Sequence, residues 1–570
     1  MDKPIPVQPQ LFPDLSDWPI YKLSEDRYNF IEEINEFTTA RIGQKPNQML
    51  SDILAQTIYR ERMRIKEEPW KVDPPNEDQF WKKLRKRLIT RSLDKNEGEA
   101  RRVNEKLLSE IVARYSNEIV GTFKIPTFKF ARRFLTVFFN RLLNTAAGRN
   151  FGRFYGAKYN VSERLKVYGQ VHKIRSLMKK GTVVLVPTHF SNLDSILIGY
   201  TLDNLLGLPS FSYGAGLNLY NTGYTAYYMN RLGAYRVDRR KKNPIYLETL
   251  KAMSNLSLQR GVNSLFFPGG TRSRSGALET KLKLGLLSTT LEAQRALYQK
   301  DKEEKIFIVP LILGYHFTLE ADYLIEQHLK ITGKENYLKL KDQSYSRLKI
   351  FKFIWKLFSR SSDIVLSFGK PMDVLGNFVD AEGRSFDRHK NEVELRDYFV
   401  SDGKVKADLQ REGEYTKILA NRIIERYHKE NIVLSSHLMA YVVFNILLKE
   451  NPKLDLYGVL RLPVADYEFE YATVKTALGN LRDHLLVMEK KGQIKLTDII
   501  RGDLDVLIKD GINNLGIFHP QKPLALNKEG HIESQNFRIL YYYHNRLSTY
   551  SLSSFVHWDE AVSAFAKPVL

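Results

Sequence analysis

His189 and Asp194 are the residues of this chain best suited to proton chemistry. The segment reads Pro187-Thr188-His189-Phe190-Ser191-Asn192-Leu193-Asp194-Ser195, and no other of the 12 histidines has an aspartate five positions on. Histidine has the side-chain pKa nearest neutrality, so it can take a proton from a hydroxyl near pH 7. A carboxylate on its other ring nitrogen would fix the tautomer and stabilise the imidazolium. The same residues also suit an ordinary helix start, with Ser191 or Asn192 as cap and Asp194 in the first turn. Chance supplies such a pair in about half of chains of this composition, so the pair alone decides nothing.

Four further segments follow it in order. Gly233-Ala234-Tyr235-Arg236-Val237-Asp238-Arg239-Arg240 is glycine-led and basic. Phe267-Pro268-Gly269-Gly270-Thr271-Arg272-Ser273-Arg274-Ser275-Gly276 is a glycine-rich loop bearing arginines. Backbone N–H groups and guanidinium forks of that kind suit a phosphate. Ile308-Val309-Pro310-Leu311 carries one proline, and Phe368-Gly369-Lys370-Pro371 closes the set.

Three regions must position these residues. Residues 1–120 read as polar and helical, with helical spacing in Phe30–Phe37 and Ile53–Ile65 and a break at Glu68–Glu77 containing Pro69, Pro74 and Pro75. Residues 121–400 alternate short apolar runs with helical stretches. Thr182–Val186, Asn263–Phe267, Ile306–Leu313 and Ile364–Phe368 read as buried strands, and Asn192–Asn204 and Leu282–Ala296 as helices. That alternation predicts an α/β domain whose sheet is mixed, mostly parallel and flanked by helices. His189 then lies at a strand end, where α/β folds place reactive groups. Residues 401–570 are expected to be mainly helical, with Ile432–Leu448 as a buried helix stopped by Asn451-Pro452 and some β structure at Tyr541–His544 and Ser548–Trp558.

The chain has 570 residues, so it has room for more than one core. It contains no cysteine, which excludes disulfides, thiolate metal sites and a cysteine nucleophile. Its 87 Lys+Arg against 65 Asp+Glu give a formal charge of +22, which favours anionic partners. Met1 to Asp17 lacks the pattern of a signal peptide, and no run of about 18 uncharged apolar residues predicts a spanning helix.

The ordered segments resemble the blocks of the glycerophospholipid acyltransferase superfamily. His189 to Asp194 resembles the first block, Gly233 to Arg239 the second, Phe267 to Ser273 the third and Val309-Pro310 the fourth, with Gly369-Lys370-Pro371 as the usual sequel. The resemblance covers about residues 180–375, a third of the chain. It implies a glycerolipid O-acyltransferase in which His189 is the general base and Asp194 orients it. The acceptor would be glycerol-3-phosphate or its 1-acyl form, and the donor acyl-CoA or acyl-ACP, with no cofactor and no metal. Arg239, Thr271, Arg272 and Arg274 would bind the acceptor's phosphate, and Gly233, Gly270, Ser273 and Pro310 would complete the substrate site.

Two positions depart from the family's pattern. Gly269 stands where the third block carries a glutamate. Asp238 stands in Val-Asp-Arg, where many glycerol-3-phosphate enzymes have Ile-Arg-Arg. Asp238 tilts the acceptor towards the 1-acyl form, while the size and the helical C-terminal region tilt it back.

Phe128–Leu143 and Arg347–Arg360 mix aromatic and basic residues as interfacial helices do. A peripheral contact with an anionic membrane on its cytoplasmic face is therefore expected. The basic cluster Trp81–Leu88 suits a solvated helix face, and no nucleic-acid signature accompanies it, so no nucleic-acid partner is expected. A catalytically silent lipid-binding member of the same fold is the alternative.

Overall fold

The computed structural model describes residues 4–91, 97–147, 165–220, 223–333, 364–516 and 519–558. The aromatic and basic segment Arg347–Arg360 lies outside the described residues.

A seven-stranded sheet forms the middle of the chain. Its strands are β1 (Leu165–Gly169), β2 (Gly181–Pro187), β3 (Ser212–Gly216), β4 (Ala234–Val237), β5 (Ser264–Leu265), β6 (Lys305–Tyr315) and β7 (Ile364–Phe368), in the order β1-β7-β6-β2-β5-β3-β4. Every neighbouring pair is parallel except β6 with β7. The sheet is thus mixed and mostly parallel. β2 and β6 are buried almost throughout, because helices cover both faces. The register pairs Pro187 with Leu311, so β6 runs on past the end of β2 as far as Tyr315.

Helices flank the sheet on the N-terminal side. They are α1 (Arg27–Gly43), α2 (Asn47–Glu67), α3 (Glu77–Arg91), α4 (Glu97–Ile119) and α5 (Ile125–Ala147). The proline-rich segment after Glu67 separates α2 from α3, since proline cannot continue a helix. The described residues of this region share a core with the sheet region. Phe30, Leu54, Trp81 and Ile111 share one apolar cluster with Tyr235, Ile245 and Tyr246. The last two belong to α7 (Pro244–Gln259); the other helices beside the strands are α6 (Asp194–Tyr200) and α8 (Leu284–Gln299). Asn243 starts α7, its side chain accepting the amide of Tyr246, with Pro244 in the first turn.

The remaining chain is mainly helical around a second core. Its principal helices are α9 (Leu409–Glu430), α10 (Ser435–Glu450) and α11 (Phe537–His544). α10 is buried on every side, as its composition predicts. Ile432 and Val433, expected to be helical, instead pair as a short parallel strand with Lys495 and Leu496. A second correction concerns Tyr541–His544 and Ser548–Trp558, which hold no strand. Asn536 caps α11 by accepting the amide of Ile539, and short tight turns follow at Asn545–Tyr550 and Ser553–Phe555. The tyrosines are strand formers by propensity, but the helical period puts Leu540, Tyr543 and Leu547 into the core. No helix among the described residues is long and apolar enough to cross a membrane.

Candidate active site

β2 ends at Pro187, and the chain then leaves the sheet. The amide of Thr188 still donates to Leu311, while its hydroxyl accepts from Leu313. This holds His189 at the strand end. The next turn brings Asp194, the first residue of α6, back beneath it. His189 Nδ1 lies 2.8 Å from Asp194 Oδ2. The same oxygen accepts the amides of Phe190 and Ser191 at 2.8 and 3.0 Å. Tyr315, on the overhang of β6, donates its hydroxyl to Oδ1 at 2.6 Å.

Asp194 is fully buried yet surrounded by donors, which offset the cost of burying its charge. The two roles weighed for it, helix start and histidine partner, are therefore filled by one carboxylate. With Asp194 ionised, the proton of the neutral imidazole sits on Nδ1, and Nε2 presents its lone pair. Nε2 has no hydrogen-bond partner among the described residues. The ring keeps 13% exposure and stacks on Phe267 at 4.0 Å, which restricts its rotation.

The loop after β5 closes over this turn. Ser273 donates its amide to the carbonyl of His189 at 2.7 Å. Glu320, buried past the end of β6, accepts the Ser191 hydroxyl, the Asn192 amide and Nη1 of Arg272, each at 3.1–3.2 Å. Glu279 accepts the amide of His189 at 3.0 Å. Burial pushes the Glu279 carboxyl up to about 7, against the lowering effect of that hydrogen bond. Burial, and then the charge of Asp194, likewise raise the Tyr315 hydroxyl, which stays protonated as a donor.

The C-terminal region completes the loop. Asn545 donates to the carbonyl of Ser275. Gly276 has φ +85°, and a Cβ there would lie 2.2 Å from the carbonyl oxygen of Tyr542. Arg546 is buried against Phe190, 4.2 Å above its ring, and donates to Leu313 and Asn431. Burial lowers its guanidinium to about 10.

An apolar cavity of about 470 Å³ opens beside α6. Ser195, Ile196 and Gly199 of α6 form one wall, and Phe128, Ala131, Phe134 and Leu135 of α5 the other. Phe211, Tyr213 and Leu265 form part of its lining. The ion pair of Arg132 with Asp203 sits in its wall at 2.6 Å. Among the described residues no cluster of His, Asp and Glu could hold a metal ion.

Residues 168–314 match the family described as Acyltransferase. A glycerol-3-phosphate acyltransferase of Pseudomonas aeruginosa (strain UCBPP-PA14) is 28% identical over 300 residues, 52% of this chain and 31% of that protein. One of Pseudomonas fluorescens (strain Pf0-1) is 24% identical over 456 residues, 79% of this chain and 46% of that protein. These matches support the resemblance to the glycerophospholipid acyltransferase superfamily. The matches span less than half the length of these relatives.

Within the sheet region the expected site residues divide. His189, Asp194, Gly270, Thr271, Arg272, Ser273 and Arg274 lie on the two linked loops after β2 and β5. Arg239 lies exposed after β4, whose C-terminal end is on the same side of the sheet. Gly233 and Pro310 have packing roles. A Cβ at Gly233, φ +85°, would lie 2.1 Å from Ile20 Cδ1, so backbone and packing both require a glycine there. Pro310 is buried inside β6, where its carbonyl accepts the amide of Gly369. It supports the sheet below the site.

Asp238 also has a structural explanation. It binds Arg240 through two oxygens at 3.0 and 2.8 Å, and its amide donates to the Tyr246 hydroxyl. Sequence reasoning missed Glu279, Tyr315, Glu320 and Arg546. None stands in a motif, and only the folded chain brings them to His189.

Proposed function

We propose that this chain transfers a fatty acyl group from acyl-CoA or acyl-ACP to a hydroxyl of glycerol-3-phosphate or 1-acylglycerol-3-phosphate. The observation that supports this most strongly is His189, locked through Nδ1 on a four-donor Asp194 with Nε2 left to act. Nε2 takes the hydroxyl proton as the oxygen attacks the thioester carbonyl. The C–S bond then breaks, and the departing thiolate takes the proton back from the imidazolium. Asp194 stabilises the imidazolium between the two steps. Thr271, Arg272 and Arg274, with Arg239, bind the phosphate. Their loop is bonded to the His189 carbonyl, so the phosphate lies close to the base.

The acyl chain fits the apolar cavity along α6, the helix that begins with Asp194. The face of α5 with Phe130, Phe134 and Val137 is more than half accessible at each of them, Phe130 and Phe134 also lining that open cavity, with Lys129 and Arg133 on the same helix. That face suits peripheral contact with an anionic membrane, from which the chain would collect or release lipid.

The test is turnover by the purified chain. Palmitoyl-CoA or palmitoyl-ACP is offered with labelled glycerol-3-phosphate or labelled 1-acylglycerol-3-phosphate. An O-acylated product from either acceptor is expected. Lipid binding without any acylated product would support the silent alternative.

A further inference from the structure

Gly269 has no backbone reason to be glycine, since its φ lies outside the left-handed region. It has a spatial one. A Cβ built there would lie 3.1 Å from Cγ and 3.3 Å from Oε1 of Glu279. The Glu279 side chain thus fills the space that a side chain at 269 would need. Its Oε1 holds the amide of His189, and its Oε2 is shut off from solvent with no hydrogen-bond partner among the described residues. An unpaired buried carboxylate oxygen costs stability, so an apolar or amide side chain would serve packing better.

We propose, on the acyl-transfer reading, that Glu279 supplies the carboxylate that the third block lacks at Gly269 and is the positioning residue for His189. The carboxylate reaches the catalytic turn from ten residues further along the chain. Glycine at 269 and glutamate at 279 form one exchangeable unit. The carboxylate acts through the His189 amide: it fixes where the strand-end turn carries the ring relative to Asp194 and the bound hydroxyl. A misplacement of about 1 Å at a base costs about a hundredfold in rate.

Four variants test this: Glu279→Ala, Gly269→Glu, the two combined, and Gly269→Leu with Glu279→Ala. Glu279→Ala is expected to lower kcat about a hundredfold and leave KM for the acceptor within about threefold. Gly269→Glu alone crowds two carboxylates and lowers the melting temperature. The combination Gly269→Glu with Glu279→Ala is expected to recover both the melting temperature and most of kcat. Gly269→Leu with Glu279→Ala refills the space without a carboxylate, so it recovers the melting temperature but not kcat.

Recovery of kcat by the leucine combination would overturn the proposal, as would failure of the carboxylate swap to raise kcat above Glu279→Ala. An inactive wild-type chain would instead overturn the acyl-transfer reading. The melting temperatures would still judge the shared space, which is refuted if Gly269→Glu melts as the wild type does.

Discussion

Two clusters of charge lie at the same end of the sheet and use their residues in opposite ways. After β2, Asp194 gathers four donors, and the histidine it holds keeps Nε2 without a hydrogen-bond partner among the described residues. After β4, Asp238 and Arg240 bind each other, and Arg240 also reaches Asp73 and the carbonyl of Glu68 while stacking on Trp70 at 4.0 Å. Arg64 extends that network to Glu61, Asp73 and Glu77, and Lys241 adds Glu118. The first cluster leaves a reactive atom over. The second spends its charges on joining the N-terminal helices to the sheet. A basic motif therefore marks chemistry only where the fold leaves a group unspent.

The comparison breaks most visibly at Asp194. Asp194→Asn removes the charge that fixes the His189 tautomer, so kcat is expected to fall about a thousandfold, worth about 4 kcal/mol. Steady-state kinetics on the folded variant measures it. Arg240→Ala is the counterpart. It strands Asp238 in a mostly buried setting, leaves Asp73 to Arg64, and is expected to cost about 3–4 kcal/mol of stability. Chemical denaturation reads that loss, while kcat of the folded fraction changes no more than about threefold. A large fall in kcat with little loss of stability would reverse the roles assigned to the two clusters.

Smaller effects sharpen the first cluster. Tyr315→Phe removes one charge-assisted bond to Asp194 and is expected to lower kcat about tenfold, with about 1.5–3 kcal/mol lost in stability. Glu279 gives a pH signature. Its folded pKa, about 7, lies above the ordinary glutamate value of 4.5. The folded state then holds more protons than the unfolded one between those values, so this group's contribution to stability declines as pH rises from about 4.5 to 7. Glu279→Gln is expected to remove that component. Unfolding midpoints at several pH values, compared with the wild type, measure it, and parallel curves would refute the raised pKa.

The sequence carried the fold further than the site. Alternating apolar runs foretold β2, β6 and β7, and with them the strand-end position of His189. The glycines and arginines from 267 to 276 foretold the loop that closes on it. Gly233 and Pro310 showed in the fold a packing role that their place in a motif does not announce. Glu279, Glu320 and Arg546 were not legible at all, since each reaches the site through tertiary contacts that no local spacing encodes. The same limit explains the tyrosines of α11, whose strand propensity lost to a capped helix with a buried face.

The most direct test of the central claim is kcat for the wild type and His189→Ala on the preferred acceptor, with melting curves for both. Loss of at least about a thousandfold in kcat, with the fold intact, is the predicted result for removal of the base. Equal turnover by the two proteins would contradict it.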